Sequence, residues 1–383
     1  MPDGPAIGSR GDAAAASAPL AEPAQAEADG GGRRWAVAGA TLAIGGLGSL
    51  VFTLLGVPAA FLTGPAVAIV LAVALRVPTH MPSPVRAGGI AILGAATGSA
   101  VTPEAVDQMA AVPLAIGGLV LVILGAAAAS YVTLRRVGGW DRLDALCGSI
   151  PGHLALVMEV STEAGARMDR VMMSQSTRLF ILVALIPFVL GGSDEARLTI
   201  AADGLTLTNV ALTLLLAAAA ALVGRLIRLP AAIILGPLAA AAVVSATDLM
   251  TIALPPWLVA VSLAVLGISV GEKFATVRRA GLARMIAASL AAFLAAFVVA
   301  MAISAVFAWA LGMPVGAVFL AYAPGGLDAM IALAFLLNFE VAFVAVIHMS
   351  RMVLLSLGMP FVVAAFARRE RRLASPQNRE VPR

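Results

Sequence analysis

Two regions of this apolar sequence, 146–191 and 315–367, contain clusters of polar residues. In each region an arginine precedes a long apolar stretch: Arg178 ends "QSTR" and Arg351 ends "HMSR". An arginine in the middle of a membrane helix costs about 2.5 to 3.5 kcal/mol, so two of them need polar partners or a wet cavity. Such a pair favours an anionic ligand, for example a carboxylate. The alternative is that both side chains lie near helix ends and reach the membrane surface.

A Pro-Gly motif precedes each arginine, as "PGHL" at 151–154 and "PGGL" at 324–327. Proline removes a backbone donor and glycine relaxes the backbone, so we expect a broken helix or a re-entrant hairpin at each motif. Such backbone persists inside a membrane only where protein buries it or where it lines a cavity. The half-helix that follows then directs its amide groups and positive dipole end into that cavity. The alternative is an ordinary turn at the membrane surface.

We predict that these motifs and the polar side chains after them bind a substrate. Histidines at these positions titrate near neutral pH when they are wet, although a lone histidine in a membrane helix is often only a packing residue. The other polar residues of the two regions are Glu159, Glu163, Ser174, Thr177, Asn338, Glu340 and Ser350. The predicted substrate-binding residues are Pro151, Gly152, His153, Gln175, Arg178, Pro324, Gly325, Gly326, Asp328, His348 and Arg351.

Metal, cofactor and enzyme chemistry find no support in the sequence. Three scattered histidines and one cysteine, Cys147, do not form a metal-ligand set. The four methionines within 158–173 are more simply core residues than a copper site. The sequence contains no Walker loop, no Gly-x-Ser-x-Gly elbow and no dinucleotide fingerprint. We therefore expect no catalytic residue, no metal, no cofactor and no enzyme activity.

Composition indicates that membrane helices position these residues. Of the 383 residues, 61% are hydrophobic and 12% are charged, and the mean hydropathy is +1.00. A soluble domain cannot bury that much apolar surface. The isoelectric point near 10.1 raises the question of nucleic acid, but the net charge is only +4 and the arginines lie between apolar runs. That pattern is typical of short cytoplasmic loops, so we expect lipid and not nucleic acid as a partner.

Apolar runs of about 20 residues, the length that crosses a bilayer, fill both halves of the chain. Each half has four runs followed by one of the two polar regions. The sequence therefore predicts an all-α integral membrane protein with about ten transmembrane helices. The runs lie near 35–56, 58–76, 87–103 and 112–134 in the first half, and near 206–224, 230–247, 257–271 and 285–311 in the second.

Matches between the halves indicate an internal duplication. The segment "VPAAFLTGP" at 57–65 matches "LPAAIILGP" at 229–237, which lies 172 residues later. Three further matches, including Arg178 with Arg351, are 173 residues apart. A repeat at a nearly constant offset indicates two copies of one module. Glycines four residues apart on apolar helices favour close helix packing, and we predict that role for Gly94, Gly98, Gly267 and Gly271.

Loop charges predict that the two copies have opposite orientations. Basic residues near 33–34, 76–86 and 135–136 of the first copy should be cytoplasmic, and so should those near 225–228 and 273–284 of the second. The second set corresponds to loops of the first copy that are expected outside. Both sets are inside only if the copies are inverted, which requires an odd number of crossings, most simply five each. Inverted repeats are typical of secondary transporters.

These patterns divide the chain into four segments. Residues 1–32 are rich in Ala, Gly and Pro and are predicted to be a disordered cytoplasmic tail. Residues 33–203 form the first membrane repeat, 204–367 the second, and 368–383 a basic cytoplasmic tail. The arginine pair at 33–34 also fits a twin-arginine signal. We prefer a transmembrane helix, because the following run has a counterpart in the second half.

The duplicated Pro-Ala-Ala-x-x-x-Gly-Pro motif, the Pro-Gly-Gly-Leu stretch and the Ser/Thr-Arg pair resemble the AbrB-like membrane protein family over about residues 35–367. That family is labelled both putative ammonia monooxygenase and AbrB transcriptional regulator. Its Pro-Gly-Gly-Leu-x-Glu-Met pattern is altered here. His153 replaces a glycine, Leu156 and Ala329 replace the glutamates, and Asp328 lies one place early. Acid-dependent coupling to protons or cations is therefore not supported by this chain.

The sequence thus predicts a secondary transporter or exporter of a small solute, an anion by preference, in a bacterial inner membrane with both termini cytoplasmic. The alternative is a membrane-embedded sensor that affects gene expression indirectly, as the regulatory label of the family implies. A copper monooxygenase needs clustered histidines and a DNA-binding regulator needs a basic soluble module, and the sequence has neither. The sequence leaves the oligomeric state open.

Overall fold

The computed structural model describes residues 31–101, 112–152, 154–191, 204–276 and 282–374. All secondary structure within these ranges is helical, which confirms the predicted all-α class. Parts of both predicted tails, His153, and the acidic loop residues Glu104 and Asp107 lie outside the described ranges. The helices are α1 (Gly31–Leu54), α2 (Ala60–Ala74), α3 (Ser83–Gly98), α4 (Val112–Arg136), α5 (Arg142–Ser149), α6 (Leu154–Ala164), α7 (Met168–Leu190), α8 (Leu207–Leu226), α9 (Ala232–Ala246), α10 (Pro256–Gly271), α11 (Leu282–Leu311), α12 (Val315–Tyr322), α13 (Leu327–Leu336) and α14 (Val341–Ala374).

Among the described helices, seven are long and apolar enough to cross a membrane. They are α1, α4, α7, α8, α10 with its 3₁₀ extension, α11 and α14. Their outer faces are strongly apolar: Leu207, Leu226 and Trp309, for example, are exposed. Large apolar side chains on the surface of so many helices are unfavourable in contact with water and favourable in contact with lipid. The chain is therefore built as a multi-pass membrane protein.

Helices α2 and α9 are shorter than their apolar runs predicted, with 15 residues each. Both begin one residue after an alanine in the left-handed region, Ala59 at φ 54° and Ala231 at φ 49°. These alanines belong to the duplicated Pro-Ala-Ala motif. The motif turns the chain sharply before the helix begins, which removes the first residues of the apolar run from the helix.

The helices form two bundles. The first bundle contains α1, α2 and α3 together with α8, α9 and α10, and the second bundle contains α4 to α7 together with α11 to α14. Weaker contacts join the bundles, chiefly between α2 and α7 and between α3 and α13. The first bundle thus contains three helices from each half of the chain, and the second contains four from each half.

The four predicted packing glycines lie inside the first bundle. A side-chain carbon at Gly94 would meet the Ile234 carbonyl oxygen at 2.5 Å, and one at Gly267 would meet the Leu62 carbonyl oxygen at 2.3 Å. Gly98 and Gly271 lie similarly close to α9 and α2, one turn further along. Helix α3 therefore packs in parallel with α9, and α10 packs in parallel with α2.

The order in which residues contact each other along two further helix pairs gives the relative direction of the helices. Arg86 contacts Ser269 and Glu272, whereas Gly89 lies against Val265, so α3 and α10 are antiparallel. Along α4 and α11, Gly118 lies against Phe307, Gly125 against Val299 and Gly138 against Ala288, so these helices are also antiparallel. In both pairs the partners occupy equivalent places in the two halves.

Candidate functional site

The first hairpin consists of α5, a break at 150–153, and α6. Its base is closed by Asp144, whose carboxylate accepts hydrogen bonds from the Arg167 backbone amide at 2.8 Å and from the Arg170 side chain at 2.9 Å. Since Asp144 begins α5 and Arg167 follows α6, the chain enters and leaves at the same end. Ser174 donates to the Gly148 carbonyl at 2.8 Å, so α7 lies beside α5 in the same direction.

The second hairpin consists of α12, a break at 323–326, and α13. Here the base is closed by apolar packing, because the Phe339 ring lies directly against Gly316. The two tips have the same kind of backbone turn. The Gly152 amide donates to the Ile150 carbonyl at 2.9 Å, and the Gly325 amide donates to the Ala323 carbonyl at 2.7 Å. The sequence left a broken helix, a re-entrant hairpin and a surface turn open at each Pro-Gly motif, and the geometry at both is that of a helical hairpin.

Arg351 holds the second tip. Its guanidinium donates to the Ala323 carbonyl at 2.5 Å and to the Gly325 carbonyl at 2.6 Å, and the residue is only 5% exposed. A helix that stops inside protein leaves carbonyl groups without intrahelical donors. A planar guanidinium with several donors satisfies two of them at once.

The first tip is held through an intermediary. Gln175 donates from its side-chain amide to the Ile150 carbonyl at 3.1 Å and lies 3.4 Å from the Cys147 carbonyl. Arg178 donates to the Gln175 amide oxygen, so its link to the tip runs through Gln175. Arg178 is buried, and its Nε has no hydrogen-bond partner among the described residues.

His348 occupies the place in the second half that Gln175 occupies in the first. Its Nδ1 lies 3.1 Å from the Val344 carbonyl, one turn earlier on the same helix, and it is completely buried. Its Nε2 has no hydrogen-bond partner among the described residues. His348 therefore does not reach the tip, and Arg351 extends past it.

A cavity of about 390 Å³ lies where the two bundles meet. Both tips line it, through Gly152 of the first hairpin and Gly325 and Gly326 of the second. The first bundle contributes the start of α9 and part of α3. The charged lining residues are Arg225, Lys273, Asp328 and Arg351. With three basic groups and one acidic group, the cavity has an excess of positive charge.

The prolines of the two motifs lie on the same small space. Pro151 and Pro324 line a second, small void of about 10 Å³ together with Arg178 and Ser174. The structure thus brings together eight of the predicted residues around these two spaces: Pro151, Gly152, Arg178, Pro324, Gly325, Gly326, Asp328 and Arg351. Gln175 and His348 lie behind the tips, and His153 lies outside the described residues.

Two cavity residues were missing from the sequence prediction. Arg225 and Lys273 were interpreted as loop charges that set orientation, yet both line the cavity. A signal for Lys273 was present, because it is the one lysine in a chain with 24 arginines. Its side chain is also electrostatically coupled to Asp328 on the opposite bundle.

Seven membrane-length helices and two hairpins around a shared cavity define a multi-pass helical membrane protein. The chain belongs to the AbrB family, whose model, described as "Transition state regulatory protein AbrB", matches residues 61–367. It is also 28% identical over 324 residues to the "Putative regulator AbrB" of Escherichia coli (strain K12), covering 79% of this chain and 89% of that protein. These findings confirm the family resemblance that the duplicated motifs indicated.

Proposed function

We propose that this protein is a secondary transporter of a small anionic solute, with its binding site in the cavity between the two bundles. One observation carries the proposal: both hairpin tips, one from each half of the chain, line the same cavity, which four charged side chains also line. Sites of this kind, at the interface of two repeats and beside interrupted helices, are typical of secondary transporters.

The proposal includes an inverted duplication. Equivalent helices α3 and α10 are antiparallel, and so are α4 and α11, which supports opposite orientations of the two halves. Each hairpin returns to the side from which it started and adds no net crossing. Each half then has five crossings, contributed in the first half by α1, α2, α3, α4 and α7, and the whole chain has ten.

The charge of the cavity supports an anion as the solute. Arg225, Lys273 and Arg351 outnumber Asp328 there. Arg351 already donates to two carbonyl groups, so Lys273 and Arg225 are the better candidates for direct contact with a ligand. The amide groups that open α13 after Gly326 add partial positive charge at the cavity.

The same proposal places the protein in a bacterial inner membrane with both termini in the cytoplasm. Arg135 and Arg136 end α4, and Arg368 and Arg369 lie near the end of α14, as the positive-inside rule requires for cytoplasmic ends. We propose no enzymatic activity, and we assign the charged residues of the cavity to solute binding.

Flux through purified protein tests the proposal. Proteoliposomes that contain the protein should take up members of a panel of radiolabelled mono- and dicarboxylates and inorganic phosphate. Lys273→Gln should weaken apparent affinity by about tenfold or more, since a hydrogen bond to a charged group contributes about 1.5 to 3 kcal/mol. Arg76→Gln is the matched control, because Arg76 lies in an exposed loop. The proposal fails if no anion is taken up, or if both variants behave alike.

The second candidate function is a membrane-embedded sensor, and it rests on the name "Putative regulator AbrB" of the Escherichia coli relative. A regulator that signals through a partner needs its cytoplasmic tails, whereas a transporter needs its cavity. Deletion of 1–32 together with 368–383 should therefore leave flux largely intact under the transport proposal. Loss of a regulatory phenotype with intact ligand binding and no flux would favour the sensor.

A further inference from the structure

A groove on the lipid-facing side of the second bundle has no role in the proposed transport cycle. It encloses about 470 Å³ between α4 and α14, and its floor is formed by α5. Nearly all of its lining is apolar: Val120, Leu124 and Ala127 come from α4, and Leu354, Gly358 and Val362 from α14. A groove of this composition excludes water and polar solutes, and in a membrane it is open to lipid.

The length of the groove matches one leaflet of a bilayer. Helices α4 and α14 run in parallel along it, because Ile123 packs near Leu355 and Tyr131 packs against Phe366. The lining segments of both helices, 120–131 and 354–366, are each about 17 Å long at 1.5 Å per residue. Half of the hydrocarbon core of a membrane is about 15 Å. An extended acyl chain therefore fits along the groove.

Basic residues stand just beyond one end of the groove. Beyond the edge-to-face pair of Tyr131 and Phe366, α4 continues to Arg135 and Arg136, and α14 continues to Arg368 and Arg369. Arg135 donates to the Trp140 carbonyl at 2.6 Å, whereas Arg136, Arg368 and Arg369 are exposed. Acids also lie near this end: Arg170 pairs with Asp141 and Asp144, and Glu163 shares a neighbouring cavity with Arg368. The charge at this end remains positive.

We infer that the groove binds one acyl chain of an anionic phospholipid, with the lipid phosphate at the arginines. Aromatic rings at the membrane interface and basic residues just beyond it are the arrangement that recognises anionic headgroups. The groove also reaches Ser149 and Ile150, at the tip of the first hairpin. The bound lipid would therefore contact the hairpin directly. The inference depends on the membrane assignment and is independent of transport.

Photo-crosslinking tests this site. The full chain is placed in phosphatidylethanolamine nanodiscs that contain either phosphatidylglycerol or phosphatidylcholine with a diazirine on one acyl chain. Labelled peptides are then mapped by mass spectrometry. Phosphatidylglycerol should label 120–131 and 354–366 preferentially, and Arg368→Gln with Arg369→Gln should lower that labelling on the order of tenfold, since each basic residue contributes about 1 kcal/mol of attraction.

A matched pair of glycine variants tests the groove itself. Gly358 lines the groove, and a side-chain carbon built there meets nothing within 4 Å, so Gly358→Leu should fill the groove without disturbing the helix. Gly117 on α4 is equally unobstructed and lies outside the groove, so Gly117→Leu is the control. Gly358→Leu should abolish the preferential labelling and Gly117→Leu should not. Labelling spread evenly over the other lipid-facing helices, equal labelling by phosphatidylcholine, or indifference to Gly358→Leu would overturn the inference.

Discussion

In the second hairpin Arg351 itself reaches the tip, whereas in the first hairpin Arg178 reaches only Gln175, which in turn contacts the tip. Both tips expose helix-end carbonyl groups inside the protein, so both need donors. The halves share the backbone turn and the position of the arginine, yet they differ in the residue three places before it. A glutamine at 175 is long enough to donate to the tip, and the histidine at 348 instead contacts its own helix.

The sequence predicted the same substrate-binding role for both arginines, whereas the structure gives them different contacts. Arg351 donates directly to two carbonyl groups of the second tip and also lines the cavity. Arg178 is one step removed from the first tip and lines the small void beside the two prolines. An arginine that recurs at the same place in both halves therefore need not have the same contacts, because the residue three places before it differs.

The largest expected effect concerns the orientation of the two halves. Val77 and Leu249 occupy equivalent exposed loops, 172 residues apart. In a Cys147→Ala background, Val77→Cys and Leu249→Cys should react with a membrane-impermeant maleimide from opposite sides of the membrane, in an all-or-none manner. Ala275→Cys should react from the same side as Val77→Cys, because Arg86 of α3 pairs with Glu272 at 2.9 Å. Labelling of Val77→Cys and Leu249→Cys from one side would refute the inverted arrangement.

A smaller effect should distinguish the two arginines. Arg351→Ala removes the donors of two buried carbonyl groups, each of which costs about 1 to 3 kcal/mol when unpaired. Arg178→Ala leaves the bonds of Gln175 to the first tip in place and should cost less than half as much. Thermal unfolding of the purified variants in detergent measures the comparison, with Arg76→Ala as a surface control. Equal losses of stability would mean that Arg178 supports its tip as directly as Arg351 does.

The smallest expected effect on stability concerns Gln175 and His348, the residues three places before the two arginines. Gln175→Ala removes the donor to the Ile150 carbonyl and should lower the free energy of unfolding by about 1 to 2 kcal/mol. His348→Ala removes a side chain that does not contact its tip. Because the His348 Nε2 has no hydrogen-bond partner among the described residues, the hydrogen-bond contribution of His348 to stability should be near zero. His348→Leu keeps most of the volume and is the better variant for isolating polarity. A loss in His348→Leu larger than that in Gln175→Ala would contradict this comparison.

Much of the fold was predictable because its signals are local. Hydropathy located the long helices, and the matched motifs located α2, α9 and the glycines that contact them. The Pro-Gly motifs located both tips, since a proline followed by glycine disfavours continuation of a helix. The hairpin could be told from a surface turn only through the contact between Asp144 and the Arg167 amide, which joins residues 23 positions apart.

The candidate site was predictable only in part. Pattern matching found residues that recur in both halves, and therefore missed Arg225 and Lys273, which have no matching partner in the motifs. Their place at the cavity depends on how the first bundle meets the second, and that is set by many weak contacts across α2, α3, α7 and α13. The separate roles of Arg178 and Arg351 depend on which side chain donates to the tip carbonyl groups: Gln175 in the first half and Arg351 itself in the second. The spacing of the motifs does not predict this difference.

The shortness of the hairpin helices has a consequence for biosynthesis. Helices α5 and α6 have 8 and 11 residues, too few to cross a bilayer as autonomous spans. The first hairpin also packs beside Ser289 and Pro324, which are synthesised more than 100 residues later. We therefore expect its tip to stay accessible to water on a nascent chain arrested before residue 282, so that Cys147 is alkylated there and protected in the completed protein. Insertion of this hairpin is then a late event that waits for the second half of the chain to emerge.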